Sequence, residues 1–235
     1  MEIKNLISFG FLEIISYLCS VKMIKGYSSY NIKQYTTMQE EKKYQLTDET
    51  QNYYGKTLYR IQALKDFGDV KAGDKGGWVE SERNLSQDGN CWIYDESVVY
   101  GGSRVCENAK ILNYSEICDY AHIWGNAIIE RKSSIGGEVF IKDAKVTEVE
   151  ISDCTQIIGD FEIKSARDFY TFKIWWPYDE YVTYIPKHNK FSYCCQSYTK
   201  EELAKNDDFG QESGIILEIL NKIVDLCDYY KKVYP

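Results

Sequence analysis

Few residues in this chain can do acid–base or nucleophilic chemistry. There are two histidines, His122 and His188, and eight cysteines: Cys19, Cys91, Cys106, Cys118, Cys154, Cys194, Cys195 and Cys227. A general base needs a substrate pocket and a group that orients it. His122 lies between Ala121 and Ile123 and is expected to face outward on a flat surface, as an ordinary exposed histidine. His188 sits in the polar run KHNK, which reads as a solvated turn. A zinc site of three histidines cannot be assembled from two. No cysteines show the C-x-x-C spacing of metal or redox sites. The adjacent Cys194 and Cys195 are read as free thiols on opposite faces of a strand. Phosphate-loop, dinucleotide, zincin and nucleophile-elbow motifs are missing. KAGDKGG, Lys71 to Gly77, lacks the Walker spacing and terminal hydroxyl, and reads as turns. No cofactor and no metal is therefore expected, and the residues lean towards a non-enzyme.

The elements that would position such residues are set by a repeat. Stepping by six from Ile93 meets Val99, Val105, Ile111, Ile117, Ile123, Ile129, Ile135 and Ile141, all β-branched aliphatics. Two residues before each of the first eight lies a small side chain, from Cys91 through Ser97, Ser103, Ala109, Ser115, Ala121 and Ala127 to Ser133. Two residues after each lies a third column, mostly turn formers: Asp95, Gly101, Glu107, Asn113, Asp119, Gly125, Arg131, Gly137 and Asp143. Residues two apart on a strand face the same way, so the small residue and the aliphatic both point inward. The third column bends the chain, and three bends close one triangular coil. Residues eighteen apart then stack, giving three internal ladders that begin at Ile93, Val99 and Val105. Such self-similarity is the signature of a solenoid.

This pattern predicts a mainly β protein, a left-handed parallel β-helix of hexapeptide type. It is expected to carry an N-terminal helical extension and a small α+β C-terminal cap. The boundaries read as 1–43 for the extension, 44–75 for a lead-in strand and turns, 76–164 for the β-helix and 165–235 for the cap. Leu6 to Val21 is apolar but is interrupted by Glu13 and is shorter than the roughly 20 residues a spanning helix needs. A docking helix is the expectation there. A targeting segment, or an extension ahead of a start at Met23 or Met38, remains open. In the cap, Phe169 to Trp176, Tyr181 to Ile185 and Phe191 to Gln196 read as strands. Ser213 to Lys232 reads as a helix with Ile216, Ile219, Leu220, Ile223 and Cys227 on one face.

The net charge is −8, and residues 91–163 hold thirteen acidic against six basic residues. That balance excludes generic binding to a phosphate backbone, which needs clustered Lys and Arg. An acidic rigid scaffold can instead meet a basic partner. Glu116, Glu130 and Glu138 form one candidate interaction surface. The run WWPYDEYVTY forms another, with Trp175, Trp176, Tyr178 and Tyr181 as aromatic anchors. Cysteine usage fits a reducing cytoplasm.

YQLTDET at Tyr44–Thr50 and LYRIQALKDFGDVKAGDKGGWVESERNLSQDGNCWIYDES from Leu58 resemble a family of phage- and prophage-encoded hexapeptide-like β-helix proteins. The closing YTKEEL is similar too, so the resemblance covers about Tyr44 to Cys227 and leaves residues 1–43 outside. Such proteins are often labelled transferase or polymer-forming protein. Their usual aliphatic-Tyr-Gly-Asn/Asp-Ala repeat survives here in only some coils. The resemblance and the acidic scaffold together imply a non-enzymatic phage accessory protein. It would bind a bacterial host protein or ribonucleoprotein, most concretely as an inhibitor of a host defence nuclease such as a CRISPR effector. Neither direct nucleic-acid binding nor membrane binding is expected, and a homo-oligomer is allowed. The alternatives are a hexapeptide-type acyltransferase, which trimer formation would favour, and a self-assembling structural solenoid.

Overall fold

The computed structural model describes residues 42–174, 180–194, 196–206 and 213–233. The helix expected over Leu6 to Val21 lies outside them. Among the described residues no helix is long and apolar enough to cross a membrane.

Residues 75–163 wind into a parallel β-solenoid with three faces. The first face stacks Lys75–Val79, Val98–Val99, Glu116–Ile117, Ser134–Ile135 and Glu150–Ile151. The second stacks Arg104–Val105, His122–Trp124, Phe140–Lys142 and Gln156–Ile158, with Leu85 bridged to Val105 at its start. The third stacks Trp92–Ile93, Lys110–Ile111, Ile128–Glu130, Lys145–Thr147 and Glu162–Ile163. Each face carries one buried ladder inward, such as Val79, Val99, Ile117, Ile135 and Ile151 on the first. The small column from Cys91 to Ser133 is buried as well, because the triangular interior is narrow.

Every member of the third column turns the chain at positive φ, from Asp95 at 52° to Asp143 at 61°. Glycine meets this geometry without strain, whereas a residue with a Cβ is strained by about 1–2 kcal/mol. Arg131, at φ 57°, is a bulky occupant of such a corner. Arg131→Gly is therefore expected to stabilise the protein by about 1 kcal/mol, read as a higher urea midpoint at unchanged slope. After Ile141 the six-residue step shortens, yet Ile129 still pairs with Val146, Ile135 with Ile151 and Ile141 with Ile157. The corners lose residues and the strands keep their register.

An open stack exposes pairing edges that must be covered. At the first end, Tyr44–Tyr53 and Lys56–Ala63 form an antiparallel hairpin that continues the first face. Lys43 is buried there and donates from Nζ to the carbonyls of Cys91 at 3.0 Å and Asp88 at 3.3 Å, so unpaired carbonyls gain a donor. The Tyr44 hydroxyl donates to the Leu85 carbonyl at 2.7 Å. The run Lys71 to Gly77 is turns only in its first half. Gly76 and Gly77 belong to the first solenoid strand, where a Cβ on Gly77 would lie 2.4 Å from the Ser97 carbonyl oxygen.

At the far end, Tyr170–Ile174, Glu180–Ile185, Lys190–Tyr193 and Gln196–Tyr198 make an antiparallel sheet. Its hydroxyls cover the last strand of the second face. Thr183 Oγ1 accepts from the Gln156 amide and Ser192 Oγ from the Ile158 amide, each at 3.0 Å. Phe191 to Gln196 is not one strand. Cys194 occupies a turn at φ 42°, so the reading of two thiols on opposite strand faces fails there, and Cys195 lies outside the described residues. YTKEEL holds the start of helix α1, Lys200–Ala204, whose N-terminus is closed by a reciprocal Thr199–Glu202 capping box. Helix α2, Ser213–Val233, buries Ile216, Leu220, Ile223 and Cys227 against this sheet.

Candidate active site

The second face carries the chemistry. Its outward positions form two ladders. One holds Arg104, His122, Phe140 and Gln156, and the other holds Cys106, Trp124, Lys142 and Ile158. Parallel stacking brings His122 of one coil diagonally against Cys106 of the coil before it. Its Nε2 lies 3.3 Å from the Cys106 Sγ. In the tautomer protonated on Nδ1, Nε2 accepts from the thiol.

His122 does face outward, but it is not an ordinary exposed histidine. It is half-buried, with its ring 4.7 Å from that of Trp124 and 6.4 Å from that of Phe140. Burial disfavours the imidazolium and lowers the His122 pKa below the usual 6.5; Arg104 lowers it further, while Glu107 opposes the shift. Burial likewise raises the Cys106 pKa, assisted by the charges of Cys91 and Glu107. The pair therefore rests as neutral imidazole and neutral thiol, and both shifts hold the proton on sulfur.

The lowered pKa has a stability consequence of definite sign. As pH falls through 6.5 the unfolded chain takes up a proton that folded His122 refuses, so folded stability falls. The loss ends below the folded-state pKa, and above 6.5 the residue contributes no pH dependence. His122→Gln is expected to flatten the thermal midpoint between neutral pH and pH about 5 relative to the wild type. Identical slopes in both proteins would contradict the buried neutral ring.

An open cleft of about 440 Å³ adjoins this face, lined among others by Arg83, Ser86, Gln87, Asp88 and Arg104. Leu85 pairs with Val105, so Ser86 of the cleft lining precedes Cys106 in the outward ladder, and Arg104 of the lining precedes His122 in the other; Cys106 and His122 themselves lie outside the lining. Arg83 and Arg104 are both exposed on the cleft walls. The same lining holds the carboxylates of Glu82 and Asp88, while Trp124 and Phe140 lie outside it. No group of three or more His, Cys, Asp or Glu able to hold a metal occurs among the described residues.

The acidic surface expected from Glu116, Glu130 and Glu138 is not one surface. Glu116 lies on the first face and accepts from the Tyr53 hydroxyl at 2.9 Å and from that of Tyr100. Glu130 lies on the third face, paired with Lys145 at 3.0 Å. Glu138 sits exposed in the turn after Ser134–Ile135. Corner acids also serve their neighbours: Glu107 accepts from the Gly125 amide and Asp119 from the Gly137 amide, both at 3.0 Å. Trp175, Trp176 and Tyr178 fall outside the described residues. Tyr181 is part of a strand, half-buried with Lys173 over its ring, so WWPYDEYVTY is not a single exposed loop. His188 is exposed in its turn, 4.9 Å from the Phe161 ring. Cys106, Trp124 and Arg104 went unread in the sequence. The eighteen-residue step stacks Arg104 with His122 and Cys106 with Trp124, and the diagonal between those two columns is what brings Cys106 to His122.

No protein-family model matches the chain. Over 74 residues it is 39% identical to a protein of Escherichia coli (strain K12) named uncharacterized acetyltransferase YdcK. That stretch is 31% of this chain and 23% of the relative, so the chain spans about a quarter of the curated protein it matches. The match overturns the expectation of a non-enzymatic phage protein that inhibits a host defence nuclease. The relative is named for the enzyme class that stood as the alternative.

Proposed function

We propose that this protein is a hexapeptide-type acyltransferase that works on the second face of its solenoid, with His122 as the proton carrier. The observation that carries the reading is the half-buried, neutral His122, hydrogen-bonded to a thiol and next in its ladder to Arg104 of the cleft wall. The resemblance of one stretch to a protein named acetyltransferase supports the same class. Acyl transfer from a thioester needs a base that removes a proton from the attacking group and returns one to the leaving sulfur. A base already neutral at pH 7 is suited to that task. Arg83 and Arg104 would hold an anionic donor by charge-assisted hydrogen bonds.

Cys91, Cys106, Cys118, Cys154 and Cys227 are free thiols, which supports a reducing, cytoplasmic setting for the reaction. The leading block's likeness to phage-encoded β-helices fits the repeat family and is neutral towards the chemistry.

The test uses the full chain with acetyl-coenzyme A as the donor. Binding is followed by calorimetry, and release of free thiol is followed with primary amines and alcohols as acceptors. Binding with acceptor-dependent thiol release supports the proposal. Absence of both overturns it.

A further inference from the structure

We propose that Lys43 and Cys91 form an oxidation-sensitive covalent pair, joined under peroxide by an oxygen bridge between Nζ and Sγ that pins the lead-in hairpin to the first coil. The site is separate from the second face and stands independently of the acyltransferase reading.

Lys43 leads into strand Tyr44–Tyr53, and Cys91 heads the small inward column of the solenoid. Both side chains are buried, and the Lys43 Nζ lies 3.2 Å from the Cys91 Sγ. A buried ammonium ordinarily keeps a carboxylate beside it. The partners of this Nζ are the thiol and the carbonyls of Asp88, Gly89 and Cys91, with no carboxylate among them. A neutral amine fits that set, since its two hydrogens serve carbonyls and its lone pair faces the thiol. Burial acts in the same sense, lowering the Lys43 pKa and raising that of Cys91. The pair lies beneath the turn at 88–90, whose residues are exposed, so a small oxidant reaches it when that turn opens. The Lys43 amide donates to Gln87 Oε1 at 2.8 Å, and Gln87 and Asp88 both line the cleft, so the bridge also fastens one cleft wall.

Hydrogen peroxide first transfers one oxygen to the Cys91 sulfur, giving the sulfenic acid and water. The bridge then forms between the sulfenic oxygen and Nζ. The sulfenic O–H bond and one N–H bond break, an N–O bond forms, and a second peroxide takes the two hydrogens with their electrons and leaves as two waters. Sulfur is oxidised in the first step and nitrogen in the second, while peroxide is reduced in both. An oxygen inserted between atoms 3.2 Å apart demands less movement than a direct N–S bond. Excess dithiol reverses the reaction, returning amine, thiol and water as the reductant becomes disulfide.

The experiment exposes the purified full chain to hydrogen peroxide, alkylates the remaining thiols under denaturing conditions and maps the tryptic digest by mass spectrometry. The expected product is a linked pair of peptides carrying Lys43 and Cys91, heavier than their sum by one oxygen less two hydrogens, with cleavage after Lys43 blocked. Dithiothreitol should restore both peptides. The oxidised protein should melt several degrees above the reduced one, because the link joins positions 48 apart and restricts the unfolded chain. Cys91→Ala should fold, since alanine recurs on the same ladder at Ala109 and Ala127, and should lose both the linked product and the rise. Cys91 recovered as a sulfinic or sulfonic acid beside an unmodified Lys43 overturns the bridge. A Cys91 disulfide, or an N–S link without the oxygen, overturns it as well. So does a wild type left unlinked at peroxide concentrations that oxidise its other thiols. A linked protein that melts with the reduced one contradicts the pinning of the hairpin.

Discussion

Ile117→Asp is expected to leave no stably folded protein at room temperature. Ile117 is fully buried on the first face, stacked between Val99 and Ile135. Its neighbours across the narrow interior are the other two aliphatic ladders and the small column, none of which offers a cation. An aspartate there is buried without a partner, or is protonated at a cost, and the ladder loses its packing on both sides. Leaving a charge uncompensated in a core costs about 3–5 kcal/mol, and the deleted aliphatic adds to that. Domain stabilities are about 5–15 kcal/mol, so little or none remains. Circular dichroism and thermal unfolding provide the check, with Ile117→Val as a control expected to cost about 1 kcal/mol. A soluble Ile117→Asp protein with the wild-type midpoint would contradict the inward register of the whole column.

His122→Ala is expected to reduce thiol release from acetyl-coenzyme A by about 10²- to 10⁴-fold, the usual contribution of a positioned base. The fold should survive, because the ring packs on the outside of the solenoid against Trp124 and Phe140 and supports no internal ladder. The pH profile separates this role from a merely structural one. The base must be unprotonated, and burial together with Arg104 lowers the His122 pKa below 6.5. The wild-type rate should therefore hold through neutral pH and fall only as the solution becomes more acidic than that value. His122→Gln should be as slow as His122→Ala despite retaining a polar side chain. If both variants react at the wild-type rate while remaining folded, His122 carries no proton in the reaction.

The reading of His122 as an ordinary exposed residue failed for a local reason. In the sequence its neighbours are Ala121 and Ile123, both inward, and nothing adjacent suggests an aromatic wall. Trp124 shares the strand and the face of His122 two residues on, which alternation alone could have supplied, whereas Phe140 reaches the ring only because strands stack in parallel, a full coil away. The acidic surface failed for the complementary reason. Thirteen acids in residues 91–163 suggest a charged flank when counted along the chain. In three dimensions Glu116 and Glu130 occupy different faces with local partners, and Glu107 and Asp119 bind amides of the next coil. Four corner acids, Asp95, Glu107, Asp119 and Asp143, accept from backbone amides of neighbouring coils.

What the amino-acid sequence determined by itself was everything that repeats. A β-branched residue every six positions, a small residue two before and a turn former two after leave one way to bury the aliphatic set, so the coil, its three ladders and its positive-φ corners were legible from Ile93 to Ile141. Periodic burial is a short-range constraint, and each coil restates it. The tertiary structure alone decided what occurs once: the buried Lys43 at the first end, the Thr183 and Ser192 hydroxyls on the far edge, and the meeting of Cys106 with His122. These contacts join residues sixteen to forty-eight positions apart with no periodic partner to announce them. A single pair of side chains is chosen by how coils stack and where corners are trimmed, and that is a property of the assembled prism.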